Sequence, residues 1–391
     1  MTKLITNNKK VRRKLVSVNF PIKRKKINDQ EIIIKGKNLI NLSSNDYLGL
    51  SKHKGIIKES IKWTKIYGSS LSSSRLITGN FEKLVDLEKI LSLNVKHEKT
   101  LVLGNGFLLN STVIPAITGN TLGNKSKFYI FSDKLNHASI NYGNLLTNQK
   151  IYRYNHLDLE HLESLLKKVE KKSNKMIVSE TLFSMDGDFV DLEGIRFLSE
   201  KYNCILYLDD AHSFGVYGEN GFGFATKGQK LEKEIVVGTF SKAVGSYGAF
   251  ISCSKFFYDL LVDKCPGLIY STALPPSVIG AVSESLKLFP RINKARKQLI
   301  DNSIFVINSL NKFGFDTGNS SSYIIPVILG KFEACEVLKK TLEKNNFYIK
   351  SIRHPTVPKN FARLRMSLTA LLTKDTIKKF LNVMADFKHY K

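Results

Sequence analysis

Between about residues 80 and 270 the chain alternates short apolar runs with longer amphipathic stretches, and no other feature narrows its fold as much. Thr100 to Leu103, Phe128 to Phe131, Lys150 to Arg153, Met176 to Val178, Ile205 to Leu208 and Ile235 to Val237 read as strands. Phe81 to Leu93, Leu157 to Lys172 and Gly194 to Tyr202 read as helices set between them. Strands joined through helices pair in parallel, so the pattern predicts an α/β fold: a mainly parallel sheet with helices on both faces. In such sheets the binding site lies at the carboxyl ends of the strands. Before this region, Glu31 to Ile34 is a short strand-like run inside a basic arm. After it, Phe289-Pro290 breaks a helical pattern, and Ser322 to Ile328 reads as a strand of a smaller α/β unit. The expected division is a basic arm over 1–44, a large domain over 45–288 and a small C-terminal domain over 289–391.

The net charge of +26 demands a partner or a bland explanation. Its lysines are spread along the chain among Asn and Ser, as in Lys171-Lys172-Ser173-Asn174-Lys175, which is the pattern of solvated faces. The dense groups are Lys9-Lys10, Arg12-Arg13-Lys14 and Lys23 to Lys26. There is no zinc-finger spacing and no aromatic RNA-binding motif, so no nucleic acid is expected. An acidic protein or a phosphorylated substrate suits the charge better. No apolar run approaches the roughly 20 residues that cross a bilayer, so no membrane partner is expected. The N-terminal basic residues have no apolar run behind them, and a secretion signal is not expected. Cys204, Cys253, Cys265 and Cys335 are far apart and form no metal-type pair; no metal is expected. Free thiols of this kind suit a reducing compartment, and a cytoplasmic location follows.

The chemistry concentrates at two strand ends. Ile235-Val236-Val237 runs into Gly238-Thr239-Phe240-Ser241-Lys242-Ala243, which places one amine among small and hydroxyl residues at the mouth of a buried strand. A lysine so placed suits a Schiff base to pyridoxal 5′-phosphate (PLP). About thirty residues upstream, Ile205-Leu206-Tyr207-Leu208 ends in Asp209, with His212 three residues on. A carboxylate there favours a charged pyridinium, and the histidine suits a phenolate oxygen. Asp210 is adjacent but points the other way.

Eight segments occur in one order: Asn45-Asp46-Tyr47-Leu48-Gly49-Leu50, Ser74-Arg75 with Thr78-Gly79, Asn136-His137-Ala138-Ser139, Phe183 to Asp188, Asp209-Asp210-Ala211-His212, Thr239 to Lys242, Tyr270 to Pro276, and Arg363-Leu364-Arg365. In these the chain resembles the α-oxoamine synthase family of fold-type I PLP-dependent transferases. The resemblance spans about Asn45 to Ala370 and implies an aspartate aminotransferase-like fold. Ile352-Arg353-His354-Pro355-Thr356-Val357-Pro358 tilts it towards the branch that condenses L-alanine with a pimeloyl thioester, an early step in biotin biosynthesis. The acyl group would arrive on coenzyme A or on acyl carrier protein. Both are anionic, and Lys23 to Lys26 would speed encounter with either.

The resemblance implies a role for each matching residue. Lys242 holds the cofactor and then moves the α-proton, Asp209 faces the pyridine nitrogen, His212 bonds the phenolate and His137 stacks on the ring. Gly106 and Phe107, after a strand and opening a helix, offer N–H groups to phosphate, and Thr239 offers a hydroxyl. Thr272 reaches phosphate from the second subunit, implying a homodimer with shared sites. Ser184 touches the phenolate side; Glu180 and Asp186 match the motif too, with structural turn roles as the alternative reading of both. Arg365 grips the alanine carboxylate with its two parallel donors. Arg353 and Asn45 line the donor or carboxylate side, and Arg363 is structural.

The chain also departs from the family. Ser70-Leu71-Ser72-Ser73-Ser74-Arg75 stands where a glycine-rich stretch is usual, Leu84 where a His is usual, and Asn105 where a small hydroxyl is usual. The N-terminal helix is recast as the basic arm. These departures leave donor specificity open. Condensation of glycine with acetyl-CoA is the alternative in the same class; a catalytically silent partner subunit and a basic nucleic-acid-binding protein are the alternatives outside it.

Overall fold

In this computed structural model, residues 15–20, 31–119 and 127–389 are described. The basic clusters from Lys9 to Lys26 lie outside them. Residues 31–41 hold the expected strand-like run as β1 (Glu31–Ile34), paired antiparallel with a second strand, β2 (Lys37–Asn41). Helices α1 (Lys54–Tyr67) and α2 (Glu82–Val95) lead into β3 (Lys99–Leu103) and α3 (Gly106–Ile117). Then come β4 (Phe128–Asp133), α4 (Ala138–Leu146), β5 (Lys150–Tyr154), α5 (Leu159–Leu166), β6 (Asn174–Glu180), α6 (Leu192–Lys201), β7 (Ile205–Asp209) and β8 (Glu234–Thr239). After β9 (Ala249–Cys253) follow α7 (Lys255–Lys264), α8 (Pro266–Ile269), α9 (Pro276–Leu288) and α10 (Asn293–Lys312). The C-terminal part adds β10 (Ile324–Gly330), α11 (Phe332–Lys344), β11 (Phe347–Tyr348), β12 (Lys350–Ile352), β13 (Ala362–Ser367) and α12 (Lys374–His389).

Seven strands form the central sheet in the order β3-β9-β8-β7-β6-β4-β5. The five from β8 to β5 are parallel, and β9 is antiparallel to both its neighbours. The expected mainly parallel α/β sheet is borne out. Its strands are apolar on both faces because helices cover both. Period-2 alternation then sorts the core: Leu206 and Leu208 join one apolar cluster, and Tyr207 joins the other, with Met176, Val178, Ile235 and Val237. That second cluster also holds Leu109, Val113 and Ile114 of α3. The same alternation therefore carries Glu180, Asp209 and Thr239 to the α3 side at their strand ends.

Local chemistry sets the helix boundaries. Asn105 caps α3 by accepting the Leu108 N–H at 2.8 Å, and Asp191 caps α6 by accepting the Gly194 N–H at 3.0 Å. The helix expected over Leu157 to Lys172 is shorter. Asp158 caps it by accepting the His161 N–H, and Leu157 stays outside at φ +56°. At the other end the Lys175 ammonium gathers the carbonyls of Glu170, Lys171 and Ser173 at 3.2, 2.7 and 2.9 Å, turning them away from helical partners.

The C-terminal sheet is antiparallel, β10-β13-β12. A third sheet, β1-β2-β11, joins the start of the chain to its last quarter, with Ile40 opposite Phe347. Phe289–Arg291 forms a single tight turn between α9 and α10, at the expected domain boundary.

Candidate active site

The loop after β8 holds Lys242 in a tight reversal. Phe240 takes the Gly248 carbonyl at 2.9 Å, Ser246 returns to Phe240 at 2.9 Å, and Gly245 bonds back to Lys242 at 2.9 Å. Phe240, Ala243 and Val244 are fully buried and anchor it. Gly245 sits at φ +71°, and a Cβ there would lie 2.3 Å from the Ser51 backbone nitrogen. Only glycine allows the loop to close against the N-terminal segment. Lys242 faces a cavity of about 260 Å³ walled by Asn105, Gly106, Phe107, Asn110, His137, Ser139, Glu180, Asp209, His212, Thr239 and Ser241 among others. The cavity lies at the carboxyl ends of β6, β7 and β8, where the sheet pattern puts it. Its walls draw the Lys242 ammonium out of water and lower its pKa to about 8, against the opposing pull of the Asp209 carboxylate.

Asp209 closes the floor. One carboxylate oxygen accepts from Asn110 Nδ2 at 2.8 Å and the other from the Ala211 N–H at 3.0 Å. Tyr207 donates its hydroxyl to Asn110 Oδ1 at 2.6 Å, which fixes the amide's orientation. Asp210 points to the opposite side, where Thr181 and Ser213 donate to it. His212 is buried, and its Nδ1 meets the Tyr47 hydroxyl at 2.7 Å. Burial, with the Lys242 and Arg365 cations nearby, holds its pKa well below the ordinary histidine value. His137 is the N-cap of α4, where its Nδ1 accepts the Ser139 N–H at 3.2 Å. Its ring stands at the open side of the cavity.

Gly106 and Phe107 are the first residues of α3, and their N–H groups open at the cavity wall. Thr239 donates its hydroxyl to the Gly248 carbonyl at 3.0 Å and meets Ser241 Oγ at 2.8 Å. Ser241, exposed in the cavity, is the freer hydroxyl.

Arg365 is buried on β13. Its Nε donates to the Ser184 carbonyl at 3.0 Å and its Nη1 to Asn45 Oδ1 at 2.9 Å, with Ser367 Oγ also in contact. Tyr47 links this grip to the cavity, since its hydroxyl lies 3.1 Å from Asn45 Oδ1 and 2.7 Å from His212. Arg363 shares the face of Arg365 but binds Asp186 Oδ1 at 2.6 Å and the Met185 carbonyl at 3.2 Å, which is structural work. Gly187 makes that turn possible at φ +75°, since a Cβ would strike the Ile324 carbonyl.

Three expected residues are not gathered with the rest. Ser184 contributes its backbone carbonyl to Arg365 and is not a cavity wall. Arg353 lies over the Phe332 ring at 4.6 Å, away from the residues around Lys242. Thr272 is exposed and bridges to Ser74, beside a separate cleft with Gly104 and Ser271. Sequence reasoning gave no role to Tyr47, Ser139 and Ser241, which lie in its motifs, and passed over Asn110. Asn110 carried a signal: it is an amide one helical turn from Gly106, near the start of the helix whose N-terminus opens at the cavity.

The residues present fit PLP. An amine, a fixed carboxylate, a ring to stack, a neutral histidine and a helix N-terminus with hydroxyls converge on one cavity. One of its buried oxygens, Glu180 Oε1, has no protein partner among the described residues.

The chain belongs to the aminotransferase class I and II family, whose model matches residues 37–384. Within it, the chain is similar to 8-amino-7-oxononanoate synthase of Gluconacetobacter diazotrophicus, 36% identical over 379 residues, covering 96% of this chain and 94% of the relative. Among solved structures it is similar to serine palmitoyltransferase from S. paucimobilis with bound PLP and myriocin, at a TM-score of 0.87 and 27% identity, covering 93% and 91% of the two chains. It is also similar to 8-amino-7-oxononanoate synthase from Francisella tularensis, at a TM-score of 0.76 and 27% identity, covering 90% and 98%. The expected fold-type I architecture and α-oxoamine synthase resemblance are borne out.

Proposed function

We propose that this chain is a PLP-dependent acyltransferase that joins L-alanine to a pimeloyl thioester, giving 8-amino-7-oxononanoate, carbon dioxide and a free thiol for biotin biosynthesis. A carbon–carbon bond forms between the alanine α-carbon and the acyl carbonyl carbon. The thiol departs from the acyl group, and the alanine carboxyl leaves as carbon dioxide. The observation that carries the reading is the convergence of Lys242 after β8, Asp209 and His212 at the end of β7, His137 at the start of α4 and Arg365 on β13. The cofactor, when bound, takes up the electron pair left at the α-carbon.

The protein's own groups do the rest. Lys242, with its lowered pKa, takes and returns the α-proton near neutral pH. Asp209, held by Asn110, would face the pyridine nitrogen. Neutral His212, held by Tyr47, would bond the phenolate, and His137 would cover the ring. The α3 N-terminus with Ser241 and Thr239 would hold the phosphate. Arg365, braced by Asn45 and the Ser184 carbonyl, would hold and orient the alanine carboxylate.

The functional unit is a homodimer. Exposed Phe107, Tyr142 and Leu145 form an apolar patch beside the cavity's open side, and Thr272 sits outside its own cavity as a residue serving a neighbour's site would. A monomer by light scattering would overturn this. No helix among the described residues is long and apolar enough to cross a membrane, and the four cysteines are free and buried. A cytoplasmic protein fits both.

The test is the visible absorbance of the PLP-loaded protein. It should respond to L-alanine, and again when pimeloyl-CoA follows. A response to glycine and acetyl-CoA in their place would overturn the substrate assignment.

A further inference from the structure

Strands β6 and β7 are parallel, with Glu180 directly beside Asp209 in register. Both side chains fall on the α3 face, so two carboxyls stand side by side in the cavity wall. Their surroundings differ. Asp209 has donors on both oxygens. Glu180 is only 2% exposed; its carboxyl takes the His137 backbone N–H, and Oε1 is left without a partner among the described residues. A buried anionic oxygen with no donor is unfavourable, whereas an O–H aimed into a cavity that receives an oxygen-rich ligand is satisfied once the ligand binds.

The charges around Glu180 agree. Asp209 on β7 and Asp133 on β4 oppose a further anion; Lys242 after β8 favours one. Tyr47, from the N-terminal segment, feels Glu180 and the Arg365 cation on β13. His212 faces the same cavity and is held neutral. Burial outweighs Lys242, and Glu180 keeps its proton well above the ordinary carboxylate range.

We propose that Glu180 is a further residue of this site: a neutral carboxylic acid that leaves the negative charge on Asp209 and directs its O–H at an oxygen of the bound group. It rests on the reading of the Lys242 cavity given above, but its primary test does not.

That test uses cofactor-free protein. At pH 7 the infrared difference spectrum of wild type should show the C=O stretch of a protonated carboxylic acid, absent in Glu180→Gln. The Lys242 titration, followed by pH-dependent amine labelling, should move by less than about 0.3 unit in Glu180→Gln, because the substitution removes no charge. No such band, together with a fall of about one unit in the Lys242 midpoint, would overturn the proposal, since losing an anion does that. Glu180→Leu, which keeps no donor, should retain PLP about tenfold less tightly than Glu180→Gln. Equal retention by the two variants would overturn the donor role. Failure of the wild type to take up PLP would count against the proposed function alone, since the band and the titration are read without it.

Discussion

Two lysines stand near opposite ends of strand β8, and each has its ammonium disfavoured by burial. Lys230 precedes the strand and lines the larger cavity, about 650 Å³, with Arg196, Phe197 and Glu232. Lys242 follows it and lines a cavity of about 260 Å³. Size and a shifted lysine would both point to the first. The difference lies in what is already paired. Glu234, fully buried, accepts from Arg196 Nε and Nη2 at 2.8 Å each and from Lys230 at 3.1 Å. That cluster is closed upon itself. Around Lys242, Glu180 Oε1 has no partner among the described residues, Ser241 is exposed, and Asp209 reaches the amine through charge. A perturbed lysine marks a site only where the groups around it still have bonds to offer.

The contrast can be broken or sharpened by substitution. Lys242→Ala should lower condensation at least about a thousandfold with the fold intact, whereas Lys230→Ala should change activity per folded molecule by less than about twofold. Comparable losses from both would erase the distinction. Glu234→Gln should destabilise the protein by about 3–5 kcal/mol in denaturant unfolding, because it strands two buried cations. Its turnover per folded molecule should stay near wild type; a selective loss of turnover would bring the closed cluster into the reaction. Arg365→Lys should raise the KM for L-alanine about tenfold to a hundredfold, as the planar fork is lost. An unchanged KM would remove Arg365 from the substrate grip. The smallest effect concerns pH. The neutral amine is the reactive form, so uptake of PLP by cofactor-free protein should rise with pH and level off above about 8, well before an ordinary lysine. A rise continuing past pH 10 would put Lys242 back in water.

Much of this arrangement was legible in the chain. The parallel strands were visible because both faces are buried, which makes continuous apolar runs. Lys242, Asp209 and His212 were visible because each follows such a run within a few residues. Arg365 and Asn45 could be named from motif resemblance, but their meeting could not be read locally, since 320 residues separate them. For Glu180 a turn role stayed open because nothing local shows that β6 and β7 align it with Asp209. Ser184 was expected to act through its side chain, and a backbone carbonyl leaves no mark in a sequence. The strand β2 was missed because Lys37 to Asn41 is amphipathic only in the light of its distant partner β11.

That pairing of β2 with β11 has a consequence for how the molecule is made. The ribosome releases β2, Asn45 and Tyr47 roughly 300 residues before β11 and Arg365 exist to receive them. At about 5–20 residues per second that is a delay of roughly 15 to 60 s. Through it the nascent chain carries a strand with one edge unmatched and a site without its substrate grip. The last quarter of the protein to be synthesised is therefore the part that switches β2, Asn45 and Tyr47 from waiting to folded.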